Sequence, residues 1–166
     1  MDHSEASTAL RLALANALDI VADAVIMVGE DQRVLFFNRG AEKIFGYRRD
    51  ELLGQPLDRL LPPEVAEVHH HHIRAFAAKP EVSRSMGDPL QVRGRRKDGS
   101  EFPAEASIAR LTQDGEVTFT VIVRDVTDRQ KSEQALLRWK QTFELAERHT
   151  YPRQGSADTA SGYGHF

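Results

Sequence analysis

The residues that most constrain this chain are those where a β-strand runs straight into a charged helix. They are Val117 to Val123, then Arg124, Asp125-Val126-Thr127 and Asp128-Arg129-Gln130-Lys131. The strand reads VTFTVIV, β-branched and aromatic almost throughout, a composition that favours a pleated, half-buried conformation. Asp125 and Thr127 follow at once, and both side chains can accept hydrogen bonds from the unpaired amides of a new helix's first turn. A central strand joined this directly to an outgoing helix is a mechanical linkage. Strain in the sheet reaches whatever the helix carries.

The rest of the chain supplies the sheet around that strand. Leu10, Leu14, Leu18 and Val21 recur at helical spacing and predict an amphipathic entry helix over Ala9 to Ala22. Ala24 to Val28 and Val34 to Phe37 read as two short strands around a turn at Gly29-Glu30-Asp31. Asn38 caps a short helix ending at Gly46, and Arg48-Arg49-Asp50 opens another that closes at Gly54. Pro62-Pro63 starts a longer helix that runs to about Ala78 and stops before Pro80. Strands are predicted over Leu90 to Arg96, Phe102 to Leu111 and Val117 to Val123, joined at Lys97-Asp98-Gly99 and Gln113-Asp114-Gly115, each an Asp-Gly pair suited to a tight hairpin. Two strands, short helices, then three strands make an α+β domain with a five-stranded antiparallel sheet.

Asp125-Val126-Thr127 resembles the Asp-x-Thr exit motif of PAS domains, the sensor modules of bacterial signalling proteins. The resemblance reaches back over Asn38, Ala41-Glu42, Phe45-Gly46-Tyr47, Glu51-Leu52-Leu53-Gly54, Leu57, Leu60-Leu61-Pro62 and Arg96-Lys97-Asp98-Gly99-Ser100-Glu101-Phe102-Pro103, in that family's order and spacing. It implies a PAS fold over residues 23–126, with short helices on one face of the sheet. Residues 1–22 then form an N-terminal flanking helix, 127–148 a C-terminal linker helix and 149–166 a polar tail without periodicity, expected to be disordered. It also implies a sensing role, with Asp125 and Thr127 relaying the signal to an output domain absent from this chain.

Composition narrows the partners. The chain has 166 residues and a net charge of −3, from 22 basic and 25 acidic residues, so no basic field for nucleic acid is visible. No apolar run is long enough to span a membrane. The opening MDHSEAST lacks the basic-then-apolar order of a secretory signal, and cysteine is absent, which together lead to the expectation of a cytoplasmic setting.

The long helix carries the sharpest local pattern. Val65, Val68, His69, His72, Ile73 and Phe76 make one inward face, which leaves His70 and His71 turned away. A buried imidazole can simply pack with one hydrogen-bond partner, or it can ligate haem iron axially. The resemblance extends here to the haem-containing PAS oxygen sensors of nitrogen-fixing bacteria, whose proximal histidine falls at His69 when Ile73 and Phe76 are superposed. Those sensors also place an oxygen-contacting arginine on the next strand. In this chain Gly87-Asp88-Pro89 stand there, and an ionised acid cannot donate to bound oxygen. A divalent metal on His69 and His72 would need a third ligand from Asp88, Glu64 or Glu67. His69 is a metal ligand on this reading only where haem iron is bound.

Cysteinyl-flavin photochemistry is excluded by the missing thiol. Non-covalent flavin or another small apolar ligand needs only a pocket, and Phe36, Ile44, Phe45, Leu61, Val92 and Ile108 could line one, or simply form core. Arg93, Arg95, Arg96 and Lys97 read as solvated surface, with Glu101 or Glu105 in reach across the hairpin. No phosphate loop or nucleophile motif is present, so catalysis is not expected. Leu136, Trp139 or Lys140, Phe143 and Ala146 give the exit helix barely two heptads of apolar seam, and a parallel homodimer through the flanking helices is the expected partner. Trp139 to Arg148 resembles the start of a further PAS repeat. Two functions therefore stand: a sensor holding a small ligand or cofactor, or a ligand-free dimerisation and relay module.

Overall fold

The computed structural model describes residues 3–77, 83–86 and 92–150, with side chains described for 8–71 and 92–147. It divides into two units between Asp128 and Arg129. The first opens with α1 (His3–Ile20), which starts six residues earlier than the apolar spacing indicated and stops before Val21. The antiparallel sheet contains β1 (Ala24–Gly29), β2 (Val34–Phe37), β3 (Ser83–Met86), β4 (Val92–Arg95), β5 (Glu101–Gln113) and β6 (Glu116–Asp125). Between β2 and β3 come α2 (Arg39–Phe45), α3 (Arg49–Leu52), a 3-10 turn (Leu57–Leu60) and α4 (Pro63–Ala77).

Spatial order across the sheet is β2-β1-β6-β5, and the far edge of β5 is shared by two segments. β4 pairs with the first part of β5 through Val92↔Ala104, and β3 with the second part through Ser83↔Ala109. The expected five positions are present, with the fifth filled in two pieces. β3 had no sequence signal because SRSM is short, polar and unalternating. β6 is central, paired with β1 from Ala24↔Val123 to Gly29↔Thr118 and with β5 along its whole length. It runs two residues beyond Val123, so Asp125 lies in the strand itself. Asp114 and Gly115 both have positive φ, the geometry of a two-residue hairpin that follows strand twist.

Alternation along these strands decides the core. Ala24, Ile26 and Val28, Phe119 and Val123, and Phe102, Ala104, Ala106 and Ile108 face one side and are buried with Phe37, Phe45, Leu52, Leu57 and Leu60. Phe45 sits between Phe37 and Phe102, with ring centroids 6.2 and 5.4 Å away. Phe36 does not line this space. It pairs in register with Met27 on the opposite face, where the Arg49 guanidinium lies 5.8 Å from its ring. Ile44 and Val92 pack on the core's margin, and Phe45 and Ile108 are within it.

Asn38 ties the entry of the domain together. It is fully buried, and its Oδ1 accepts from Ala41 N (2.9 Å) and Val25 N (2.8 Å). Its Nδ2 donates to Leu18 O (2.7 Å) and Asp23 O (3.2 Å), so every polar atom of the amide is used. The helix cap thus extends to α1 and β1. Gly40 is required beside it, because a Cβ there would stand 2.3 Å from Asp23 O and 2.7 Å from Val21 O.

The second unit begins within α5 (Thr127–Thr150), the expected linker helix extended by two residues at its end. Leu136, Leu137, Trp139, Phe143 and Leu145 are all more than half exposed, and Trp139 stacks on Phe143 at 5.7 Å.

Candidate functional site

The exit turn is built from three elements. Asp125, at the end of β6, accepts from Thr127 N at 2.9 Å and from Thr127 Oγ1 at 2.5 Å, both on Oδ1. Its Oδ2 accepts from Arg96 Nη2 at 2.6 Å. The Thr127 hydroxyl thus donates its proton to Asp125 and keeps its lone pairs as acceptors. Burial pushes the Asp125 carboxyl upward, but hydrogen bonds from Thr127 and Arg96 outweigh it and hold the pKa below the ordinary 3.8. Val126 N donates to Pro103 O at 3.1 Å, which holds the same turn to β5.

Arg96 corrects the reading of its cluster as solvated surface. Besides Asp125, it donates through Nη1 to Ile44 O, and its guanidinium lies 4.2 Å from the Phe102 ring centroid. Lys97 N donates to Phe45 O at 2.8 Å. Two carbonyls left unpaired at the end of α2 are thereby satisfied by the β4–β5 turn. A groove of about 300 Å³, lined in part by Lys43, Ile44 and Arg96, opens over this junction. The remaining basic residues behave as surface: Arg93 pairs with Glu101 and Glu64, and Lys97 with Glu51.

On α4, Val65 and His69 are half-buried, and the Nδ1 atom of His69 is out of contact with solvent. Val68 is 49% exposed and leaves the predicted inner face. Val65, Ala66 and His69 are the half-buried residues, so the buried stripe passes through Ala66 and not Val68. His70 is exposed as expected, yet its Nε2 lies 2.9 Å from Asp58 Oδ2 on the 3-10 turn. The side chains of His72, Ile73 and Phe76, and Gly87-Asp88-Pro89, lie outside the described residues. Among the described residues no group of three His, Cys, Asp or Glu could hold a metal ion, and Glu64 and Glu67 are exposed. Of the three α4 histidines whose side chains are described, His69 is the half-buried one and could offer a single imidazole to an iron.

A family model described as PAS domain matches residues 22–128. The chain belongs to the PAS domain family. The Oxygen sensor protein DosP of Escherichia coli is 29% identical over 102 residues, covering 61% of this chain and 13% of that protein. The Sensor protein FixL of Bradyrhizobium diazoefficiens is 30% identical over 125 residues, covering 74% of this chain and 24% of that protein. The chain thus spans a quarter or less of these curated relatives. A crystal structure of a PAS domain from Colwellia psychrerythraea superposes with a TM-score of 0.61 at 24% identity, covering 72% of this chain and 98% of that one. This PAS domain is of the kind found in bacterial sensor histidine kinases. No helix among its described residues is long and apolar enough to cross a membrane.

Sequence reasoning placed Asp125 and Thr127 at the junction of β6 and α5, where they lie, but took Arg96 for surface, because a strand-end arginine carries no mark of which surface it meets. It also missed two ion pairs at the entry: Asp19 with Arg49, and Asp23 with Arg124. For Asp19 a signal existed. An acid in the last turn of a helix opposes the helix dipole, and a residue kept against a local rule usually has a tertiary partner.

Proposed function

We propose that this PAS domain is the input module of a longer signalling protein, holding a small ligand or cofactor between α4 and the sheet and passing its state to α5 through Asp125 and Thr127. The observation that carries the reading is the exit turn. Asp125 joins β6 to the first residue of α5 while Arg96 joins it to Ile44 of α2 and the core ring of Phe102. A displacement of the core face therefore arrives at α5 through directed hydrogen bonds. A ligand can drive that displacement only by its difference in affinity for the two arrangements.

Haem is the first cofactor to test. His69 would be its axial ligand, and when bound it would supply an iron atom able to take a diatomic gas. Likeness to an oxygen sensor protein and the half-buried imidazole both favour this choice. Non-covalent flavin is the next. A second reading, a ligand-free relay, is favoured by the aromatic filling of the core by Phe37, Phe45, Phe102 and Phe119. The absorption spectrum of freshly purified protein separates them. A Soret band abolished in His69→Ala supports haem ligation; a Soret band that survives the substitution sinks His69 as ligand; a colourless chain with no co-purified molecule favours the relay. Partners on this reading are a second copy of the chain and an output domain elsewhere in the protein, in the cytoplasm.

A further inference from the structure

α1 is held to the domain by its final turn. Leu10, Leu12 and Leu14 along its length are more than half exposed, whereas Leu18 O and the Asp19 carboxylate are engaged. Asp19 Oδ1 accepts from Arg39 N at 2.9 Å, and Arg49 Nη2 reaches Oδ1 at 2.8 Å and Oδ2 at 3.1 Å. The Arg39 amide, opposed by burial and aided by Arg49, keeps the Asp19 carboxyl below its ordinary pKa. Arg49 is itself fixed by Phe37 O at 2.7 Å. The latch borders an open groove of about 450 Å³ whose rim adds Arg48, Asp50 and Glu42, so water reaches it.

Immediately after the latch the chain turns through residues 21–23, pressed against Gly40. Asp23 then receives Arg124 of β6 in a bidentate pair, Nε at 3.1 Å and Nη2 at 2.8 Å. Arg124 also faces Glu105, its register partner on β5. It directly precedes Asp125. The exit turn is therefore gripped by Arg96 from the core and abutted by an ion pair from the entry segment.

We propose that α1 is a second input lever: Asp19 and Arg49 set its pivot, and the Asp23–Arg124 pair carries its displacement to the exit turn. Arg124 is a positioning residue, acting on Asp125 through the backbone of β6. Signals delivered through whatever precedes or binds α1 would thus converge on the turn that serves the ligand. The proposal rests on the exit turn being the output. Its test needs no ligand, so a colourless protein leaves it standing.

Amide hydrogen exchange on the full chain reads both ends. Asp19→Asn should accelerate the last-turn amides of α1 and, with them, Val126 and Thr127, by about three- to tenfold, the scale of losing one net hydrogen bond. With Arg124→Gln added, α1 should stay accelerated while Val126 and Thr127 no longer respond to the Asp19 change. If Asp19→Asn unfolds the chain, Arg49→Gln, which keeps its length and loses the ion pair, takes its place. Unchanged exchange in α1 overturns the latch. Accelerated α1 with unmoved Val126 and Thr127, or the same response of those two amides with Arg124→Gln present, overturns the strut.

Discussion

At the level of single side chains, Arg96 is the residue whose role is most altered by its surroundings. Its guanidinium forms one ion pair, one bond to a helix-end carbonyl and one ring contact, all with less than a third of the side chain exposed. Arg96→Gln should therefore destabilise the domain by about 1–3 kcal/mol, the cost of removing a hydrogen-bonded charge from a partly buried carboxylate. Arg96→Lys should not restore it, because an ammonium cannot serve two diverging acceptors and lie flat on Phe102. Urea denaturation of both variants measures this, and a loss within error for Arg96→Gln would show that the pair is an ordinary surface contact. By contrast, the exposed His70–Asp58 pair belongs to a class worth about 0–1 kcal/mol. None of these partners is readable from sequence, since Arg93 to Lys97 are four similar cations along one strand and its turn. Only the register of β4 on β5 decides which one meets Asp125.

At the level of elements, the strands and short helices were legible because their apolar periods are local. VTFTVIV, AVIMV and the Asp-Gly turns each contain their own instruction. β3 and the place of Val68 on α4 were not, for opposite reasons. A four-residue polar strand has no period to find. Four consecutive histidines blur the phase of a helix, so that Val68 could be placed on the wrong side. α5 presents a different case: its seam is clear, and Leu136, Trp139 and Phe143 are exposed in a single copy of the chain. A helix of this kind is marginal alone and gains stability by burying the seam. Leu136→Glu with Phe143→Glu should convert a parallel dimer to monomers in light scattering. A chain already monomeric before substitution would remove the dimer from the proposal.

For the molecule as a whole, acid stability tests the network of carboxylates. Asp19, Glu51, Asp98 and Asp125 all have pKa values held below their ordinary 3.8 or 4.5. A depressed folded pKa contributes stability fully above the unfolded value and loses it as pH falls through the folded one. Unfolding free energy should thus be insensitive to these groups near neutrality and decline from about pH 4–5 downward. Asp125→Asn should be less stable at neutral pH and decline less steeply in acid. An unchanged slope would mean that Asp125 is not held as its contacts indicate.

The fold and the place where the sheet meets its exit helix were settled by local pattern: alternation names the strands, helical spacing names the helices, and Asp125 with Thr127 marks the junction. Which charges meet across the entry and exit was settled only when distant segments closed on one another. Asp19 finds Arg49 thirty residues away, Arg96 finds Asp125 across twenty-nine, and Asp23 finds Arg124 across one hundred and one. Short-range sterics and burial act between neighbours and leave a period in the chain. An ion pair between distant segments leaves none, because a charge is well solvated anywhere on the surface until folding brings its partner within reach.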